Sequence, residues 1–189
     1  MSRPVPTAKR DEWQADLRLA QAVDRGDREA ASELVRRLLP RTRNLVRYLV
    51  RGDRDVEDFA QSSLLEVLRS VGSFRGQSSL EHWAARITVR KTRAALAKRA
   101  KGEARANEPA LRVIRPASVS TPYELRRDLA RALDALPAPQ REAMVLFHVV
   151  GMTLREVAAE TSVSPDTAKS RIRLALEKLR HALGERHES

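Results

Sequence analysis

Apolar residues recur every three to four positions along almost the whole chain, and the pattern lapses for long only between Lys101 and Ser120. That spacing predicts amphipathic helices, and the lapse predicts that they gather into two cores instead of one. Val and Ile nowhere form alternating runs, and aromatic residues make up only 4% of the chain, so strands are disfavoured. The expected fold is all-α: two small helical domains, 1–100 and 121–189, joined by a flexible linker at 101–120. Gly102, Pro109 and Pro116 interrupt that linker.

In the first half, a helix is expected from about Glu12 until Gly26 interrupts it, with the stripe Trp13, Leu17, Ala20 and Val23 or its neighbour. A second runs from about Asp27 to Gly52 through Ala30, Leu34, Leu38, Leu45 and Leu49, with Pro40 marking a kink or a short break. Asp53 or Asp55 can cap a third, whose inner face is Val56, Phe59 or Ala60, Leu64, Val67 or Leu68 and Val71. Gly72 to Ser78 reads as a loop. Ser78, Ser79, Leu80 and Glu81 fit a capping box for a fourth helix, with Leu80, Trp83, Ala84 and Ile87 inward. Beyond Ile87 that face fades. Eight basic residues and one acid, Glu103, lie between Arg86 and Arg105, an excess of one sign that points to DNA.

The second half restarts at Thr121, Pro122, Tyr123 and Glu124, with an N-cap hydroxyl, a helix-starting proline and a glutamate, followed by Leu125, Leu129, Leu133 and Leu136. A further helix carries Ala143, Met144, Phe147 and Val150 and closes at Gly151. Thr153 to Glu156 forms another capping box, opening a short helix with Leu154, Val157 and Ala158 inward. Ser162, Val163, Ser164 and Pro165 then make a tight turn, an N-cap and a helix start, and the next stripe is Ala168, Ile172, Leu176, Leu179 and Leu183.

This is a helix-turn-helix pattern, whose second helix enters a major groove. At about 100° per residue its outer face carries Asp166, Ser170, Arg173 and Leu174, flanked by Thr167, Lys169 and Arg171. Arginine forks suit guanine edges and Lys169 suits a phosphate. Arg155 on the preceding helix is positioned as a phosphate clamp.

The formal charge of +11 attracts phosphate backbones. No apolar run approaches the roughly 20 residues that a membrane span requires. The segment from Met1 to Lys9 lacks the apolar core of a signal peptide, so a cytoplasmic location is expected. Without cysteine, disulfides and thiolate metal sites are excluded, and His82, His148, His181 and His187 lack carboxylates at ligand spacing. No phosphate-binding glycine loop or nucleophile motif is present. Neither a catalytic residue, a metal, a cofactor nor a small-molecule substrate is expected.

Two groups of residues carry a family resemblance. The first is Asp55-Val56-Glu57-Asp58-Phe59-Ala60-Gln61 with Leu64, Leu65, Phe74-Arg75-Gly76 and Trp83. The second is Leu136-Pro137, Arg141-Glu142, Glu156-Val157-Ala158 and Thr167-Ala168-Lys169-Ser170-Arg171. In this order they resemble the extracytoplasmic-function (ECF, group IV) sigma factors of bacterial RNA polymerase, across roughly Leu17 to Leu183.

The resemblance implies a non-enzymatic initiation factor whose partners are core RNA polymerase, promoter DNA and an anti-sigma factor. Polymerase binding would fall to Asp55, Glu57, Asp58 and Gln61. Minus-10 DNA would be bound by Phe74, Arg75, Gln77, Ser78, Arg86, Arg90, Lys91 and Arg93, with a base flipped into the loop from Phe74 to Ser79. Minus-35 DNA would be bound by Arg155, Ser164, Asp166, Thr167, Lys169, Ser170, Arg171 and Arg173. The linker would run through the polymerase's RNA path. Arg90, Ala94 and Ser62 depart from residues common in the family, so promoter sequence does not carry over. The rival from another class is a conventional operator-binding regulator, against which the acidic and basic helices of the first half argue.

Overall fold

In the computed structural model, residues 7–52, 54–103 and 129–184 are described, with side-chain surroundings for 11–52, 54–100 and 129–182. All the regular elements among them are helical: α1 (Thr7–Asp24), α2 (Arg28–Leu49), α3 (Val56–Ser70), α4 (Leu80–Glu103), α5 (129–134), α6 (Ala138–Met144), α7 (Leu154–Thr161) and α8 (Pro165–Gly184). A 3-10 turn, Val71–Ser73, follows α3, and a π turn, Val145–Val149, follows α6. The chain divides into two compact units. One comprises residues up to Val46 together with Asp53–Arg93, and the other comprises Arg47–Gly52 and the residues from Ala94 onward. Most of the expected linker, and the start motif from Thr121 to Leu125, lie outside the described residues.

In the first unit, α1 begins before Glu12 because Ala8, Lys9 and Arg10 are strong helix formers. Gly26, at φ +89°, turns the chain, and Asp27 Oδ1 caps α2 by accepting from the Glu29 and Ala30 amides at 2.9 and 3.1 Å. Helix α2 continues through Pro40 without a break. The missing amide is tolerated because Leu34 and Leu38 before it, and Leu45 and Val46 after it, are all buried. Leu34, Leu38, Leu64, Val67, Val71, Leu80 and Ala84 form one core with Ala20 and Phe74. Of the alternatives on α3, Ala60 and Val67 are the buried ones, and Phe59 and Leu68 sit at the margin.

Two expected caps differ. Asp55 occupies the N-cap of α3 but makes no side-chain cap bond, because its backbone (φ −109°, ψ 6°) is not in the extended region a capping carboxylate needs. The α4 capping box is absent. Helix α4 starts at Leu80, so Ser79 is the cap, accepting from the His82 amide at 3.2 Å. Glu81 instead accepts from Arg37 Nε at 2.6 Å, with Arg41 at 3.8 Å.

The face of α4 also extends past Ile87. Thr88, Val89 and Thr92 are buried, and the Thr88 hydroxyl donates to the Ala84 carbonyl at 3.0 Å, which lets a polar residue sit in an apolar interface.

The acid Asp16 joins these elements. Its carboxylate is buried, accepting from the Leu80 amide at 2.8 Å and pairing with Arg37 at 2.8 Å. Burial opposes ionisation of Glu81, but the Arg37 hydrogen bond, its own backbone amide and the charges of Arg37 and Arg41 outweigh it and hold the carboxyl below its ordinary range. A depressed folded-state value stabilises the fold above the unfolded value, near 4.5, and that support fades as pH falls through the lower folded value. Acid titration of the thermal midpoint should therefore drop less steeply below pH 4.5 in Glu81→Gln than in the parent. Parallel curves would exclude this linkage.

In the second unit, Leu133, Leu136, Ala143, Val145, Leu146, Val157, Ala168, Ala175 and Leu179 are buried. The helix expected to end at Gly151 is α-helical only to Met144, after which Val150 N–H reaches back five residues to the Val145 carbonyl. Of the expected stripe Ala143 and Val150 are buried, whereas Met144 and Phe147 sit at the margin and Val145 and Leu146 are buried between them.

Candidate nucleic-acid interface

The turn between α7 and α8 is built as its sequence predicts. Thr153 Oγ1 accepts from the Glu156 amide at 3.3 Å and Glu156 Oε2 accepts from the Thr153 amide at 2.9 Å, a complete capping box. Ser162 takes the left-handed conformation (φ 55°) that closes α7. Ser164 then caps α8 by accepting from the Thr167 amide at 3.1 Å, and Pro165 opens the helix. Ala168 is wholly buried, which permits the close approach of α8 to α7.

With Ala168, Ile172, Ala175 and Leu179 turned inward, α8 exposes Asp166, Thr167, Lys169, Ser170, Arg173 and Leu174 along its N-terminal half. Arg171 is half-buried beside them. Arg173 Nη1 donates to Glu177 at 2.8 Å, one turn on, which aligns an otherwise floppy guanidinium along the helix. Arg155 and Ser164 are exposed as well.

In the first unit the expected basic residues of α4 differ in exposure. Arg90 is exposed, whereas Arg86, Lys91 and Arg93 are half-buried, and Lys91 pairs with Glu66 at 3.0 Å. Arg75 and Gln77 are exposed on the loop before α4. Arg75 donates to the Gly72 carbonyl at 2.8 Å, and Ser78, half-buried, donates to the Ser79 carbonyl at 3.2 Å.

Phe74 requires a correction. It is only 4% exposed and packs against Trp83 with ring centroids 5.4 Å apart. A phenyl ring committed to the core cannot also stack on a base, so Phe74 supports the loop from beneath. Trp83 is half-buried against the same core, as its stripe with Ile87 predicts.

On α3, Glu57, Asp58 and Gln61 are exposed and Asp55 is half-buried. Glu57 accepts from Arg43 Nε at 2.8 Å, while Asp58 and Gln61 lie along an open face with Leu65, which is 46% exposed. Positions 58, 61 and 65 share one side of a helix. Leu65 lies outside the acidic set that the sequence singled out, since a leucine in a helix normally reads as core. No group of three or more His, Cys, Asp or Glu side chains that could hold a metal occurs among the described residues, and no described helix is long and apolar enough to cross a membrane.

The chain matches two protein families, Sigma-70 region 2 over residues 34–102 and Sigma-70 region 4 over residues 126–179. It is 32% identical over 163 residues to the RNA polymerase sigma factor CarQ of Myxococcus xanthus, covering 85% of this chain and 92% of that protein. Identity to the ECF RNA polymerase sigma factor SigM of Mycobacterium tuberculosis is 31% over 170 residues, covering 90% and 85%. Among solved structures, the sigma factor RpoE of Bartonella quintana, in complex with the anti-sigma factor NepR, superposes with a TM-score of 0.64 at 26% identity, covering 81% of this chain and 96% of RpoE.

Proposed function

The chain belongs to the extracytoplasmic-function RNA polymerase sigma factors, alternative factors that direct transcription initiation, and from that premise we propose how its surfaces divide the work. The observation that carries the proposal is the outer face of α8: a run of exposed polar and basic side chains on a helix capped, closely packed and aimed by its neighbour, with no role in its own core. Asp166, Thr167, Lys169, Ser170, Arg171 and Arg173 meet the minus-35 major groove, with Arg155 and Ser164 on the flanking backbone.

Residues 1–100 act as sigma domain two, 121–189 as domain four and 101–120 as the linker. Arg75, Gln77, Ser78, Arg86, Arg90, Lys91 and Arg93 border the minus-10 strand, and the loop ahead of α4 holds an unpaired base. Asp55, Glu57, Asp58 and Gln61 dock on a basic surface of the polymerase. Arg90 adds backbone attraction at the expense of base selectivity. RNA synthesis stays with the polymerase, and this protein contributes only promoter choice, in the cytoplasm and within group IV of its family. An anti-sigma factor covers these faces when the factor is idle, a reading supported by the likeness to RpoE bound to NepR.

Multi-round transcription by bacterial core polymerase on a library of promoter fragments, at fixed salt with and without the protein, tests this. Transcripts should appear only with the protein. Tight operator binding by the protein alone, without transcripts, would overturn it. Asp58→Lys should then cost at least about tenfold in transcription through lost charge complementarity, while its exposure keeps the unfolding free energy within about 1 kcal/mol of the parent. Unimpaired transcription by that variant would remove α3 from the polymerase interface.

A further inference from the structure

Among the described residues three large apolar side chains are exposed, Leu65, Val149 and Leu174. Leu65 shares the open face of α3 and Val149 ends the π turn, whereas Leu174, 37% exposed, stands in the polar outer face of α8. Its neighbours one turn away along the helix are Ser170 and Arg171 before it and Glu177 and Lys178 after it. Ala168, Ile172, Ala175 and Leu179 already fill the inward stripe, so the core of the unit does not explain a leucine at position 174.

A single leucine on a solvated surface is ordinary. On a helix face that enters a groove, each position instead lies against a base edge or a phosphate, and its chemistry selects what it meets. Asp166 to Leu174 spans about 12 Å at 1.5 Å per residue, which matches the width of the major groove. Leu174 therefore falls within the stretch of α8 that the groove can cover. An aliphatic side chain cannot pair with a phosphate. Against guanine, adenine or cytosine it strips water from ring nitrogen, carbonyl or amino groups and returns no hydrogen bond. The apolar feature that the major groove does offer is the C5 methyl of thymine.

We propose that Leu174 reads the C5 methyl of one thymine in the minus-35 element, so that α8 selects a T·A pair by apolar contact alongside the hydrogen bonds of its arginines. The proposal rests on the reading that the outer face of α8 meets the minus-35 groove. It adds a base preference that the polar and charged residues of that face do not supply.

Deoxyuridine tests it, because it lacks only that methyl and keeps every hydrogen-bonding group of thymidine. The measurement is binding by holoenzyme, assembled from core polymerase and the full chain, to a promoter found in the transcription screen. Each thymine of the minus-35 element, on either strand, is replaced in turn, with the parent and with Leu174→Ala. One position should cost the parent about fourfold in affinity, the value of one methyl group withdrawn from an apolar contact, and Leu174→Ala should reduce that penalty to under about 1.5-fold. Penalties at other positions should stay as they are. Alanine is a strong helix former and position 174 is exposed, so the variant keeps its fold. A minus-35 element without an A·T pair, deoxyuridine tolerated at every position, or a penalty that Leu174→Ala leaves intact overturns the assignment to Leu174, even where Lys169→Ala and Arg173→Ala still weaken binding. If none of the three substitutions on α8 alters binding, the reading of its outer face falls with it.

Discussion

Asp16→Ala should lower the unfolding free energy of the first unit by about 3 kcal/mol, the largest stability effect expected of any single polar substitution in that unit. Both carboxylate oxygens are committed, one to the Leu80 amide and one to Arg37, and the residue is buried. The Leu80 amide is one of the first four of α4, which have no acceptor within the helix. Truncation leaves this amide buried without an acceptor, at about 1–3 kcal/mol, and withdraws one of two anions from Arg37. Because the Arg37 side chain is 38% exposed, water replaces part of what it loses, so the upper end of the range for a broken buried pair is not reached.

Asp16→Asn keeps an acceptor for the amide and gives up the charge, so its loss should be about half as large. Trp13 and Trp83 are the only tryptophans, both in the first unit, and their fluorescence during urea unfolding follows that unit separately from the second. A midpoint shift corresponding to less than about 0.5 kcal/mol for Asp16→Ala would show that Arg37 and Glu81 hold α2 to α4 without it.

Asp16 also shows where the sequence stops being legible. It falls between Trp13 and Ala20 on the stripe that α1 buries, and an acid in an apolar stripe is the one local signal that it is engaged. Its partners are Arg37 and Leu80, and no local rule connects residues so far apart in the chain. The same tertiary competition defeated the α4 capping box. Glu81 has the right spacing for a local cap, but Arg37 offers a charged partner and takes the carboxylate. Where no such competitor intervenes, as at Thr153 with Glu156 and Ser164 with Thr167, local chemistry decided the structure and was readable in advance.

Side-chain type misled in both directions. Thr88 and Thr92 read as polar but are buried, while Phe74 reads as an aromatic free to stack and instead fills the core. The π turn at Val145–Val149 is likewise invisible to a pattern that assumes a constant 3.6-residue period.

Substitutions on α8 should separate two kinds of DNA contact. Lys169 is a point charge on an exposed position, suited to a phosphate. In holoenzyme binding to promoter fragments over a salt series, Lys169→Ala should weaken every promoter alike and reduce the slope of log K against log salt by about one. Arg173 is different because its guanidinium is already aligned along α8 by Glu177, and a fork held in place loses less entropy when it meets a guanine edge. Arg173→Ala should therefore cost about 1–3 kcal/mol, on the order of ten- to a hundredfold, on promoters that carry the matching base pair and much less on those that do not. Arg173→Lys separates charge from fork: it retains the salt slope but loses the preference among base pairs. If Arg173→Ala weakens all promoters equally and Arg173→Lys restores them, the residue is a second phosphate contact, and base reading on α8 falls to Arg171, Ser170 and Thr167. If neither Lys169→Ala nor Arg173→Ala changes binding, the outer face of α8 does not enter the groove, and the minus-35 assignment fails with it.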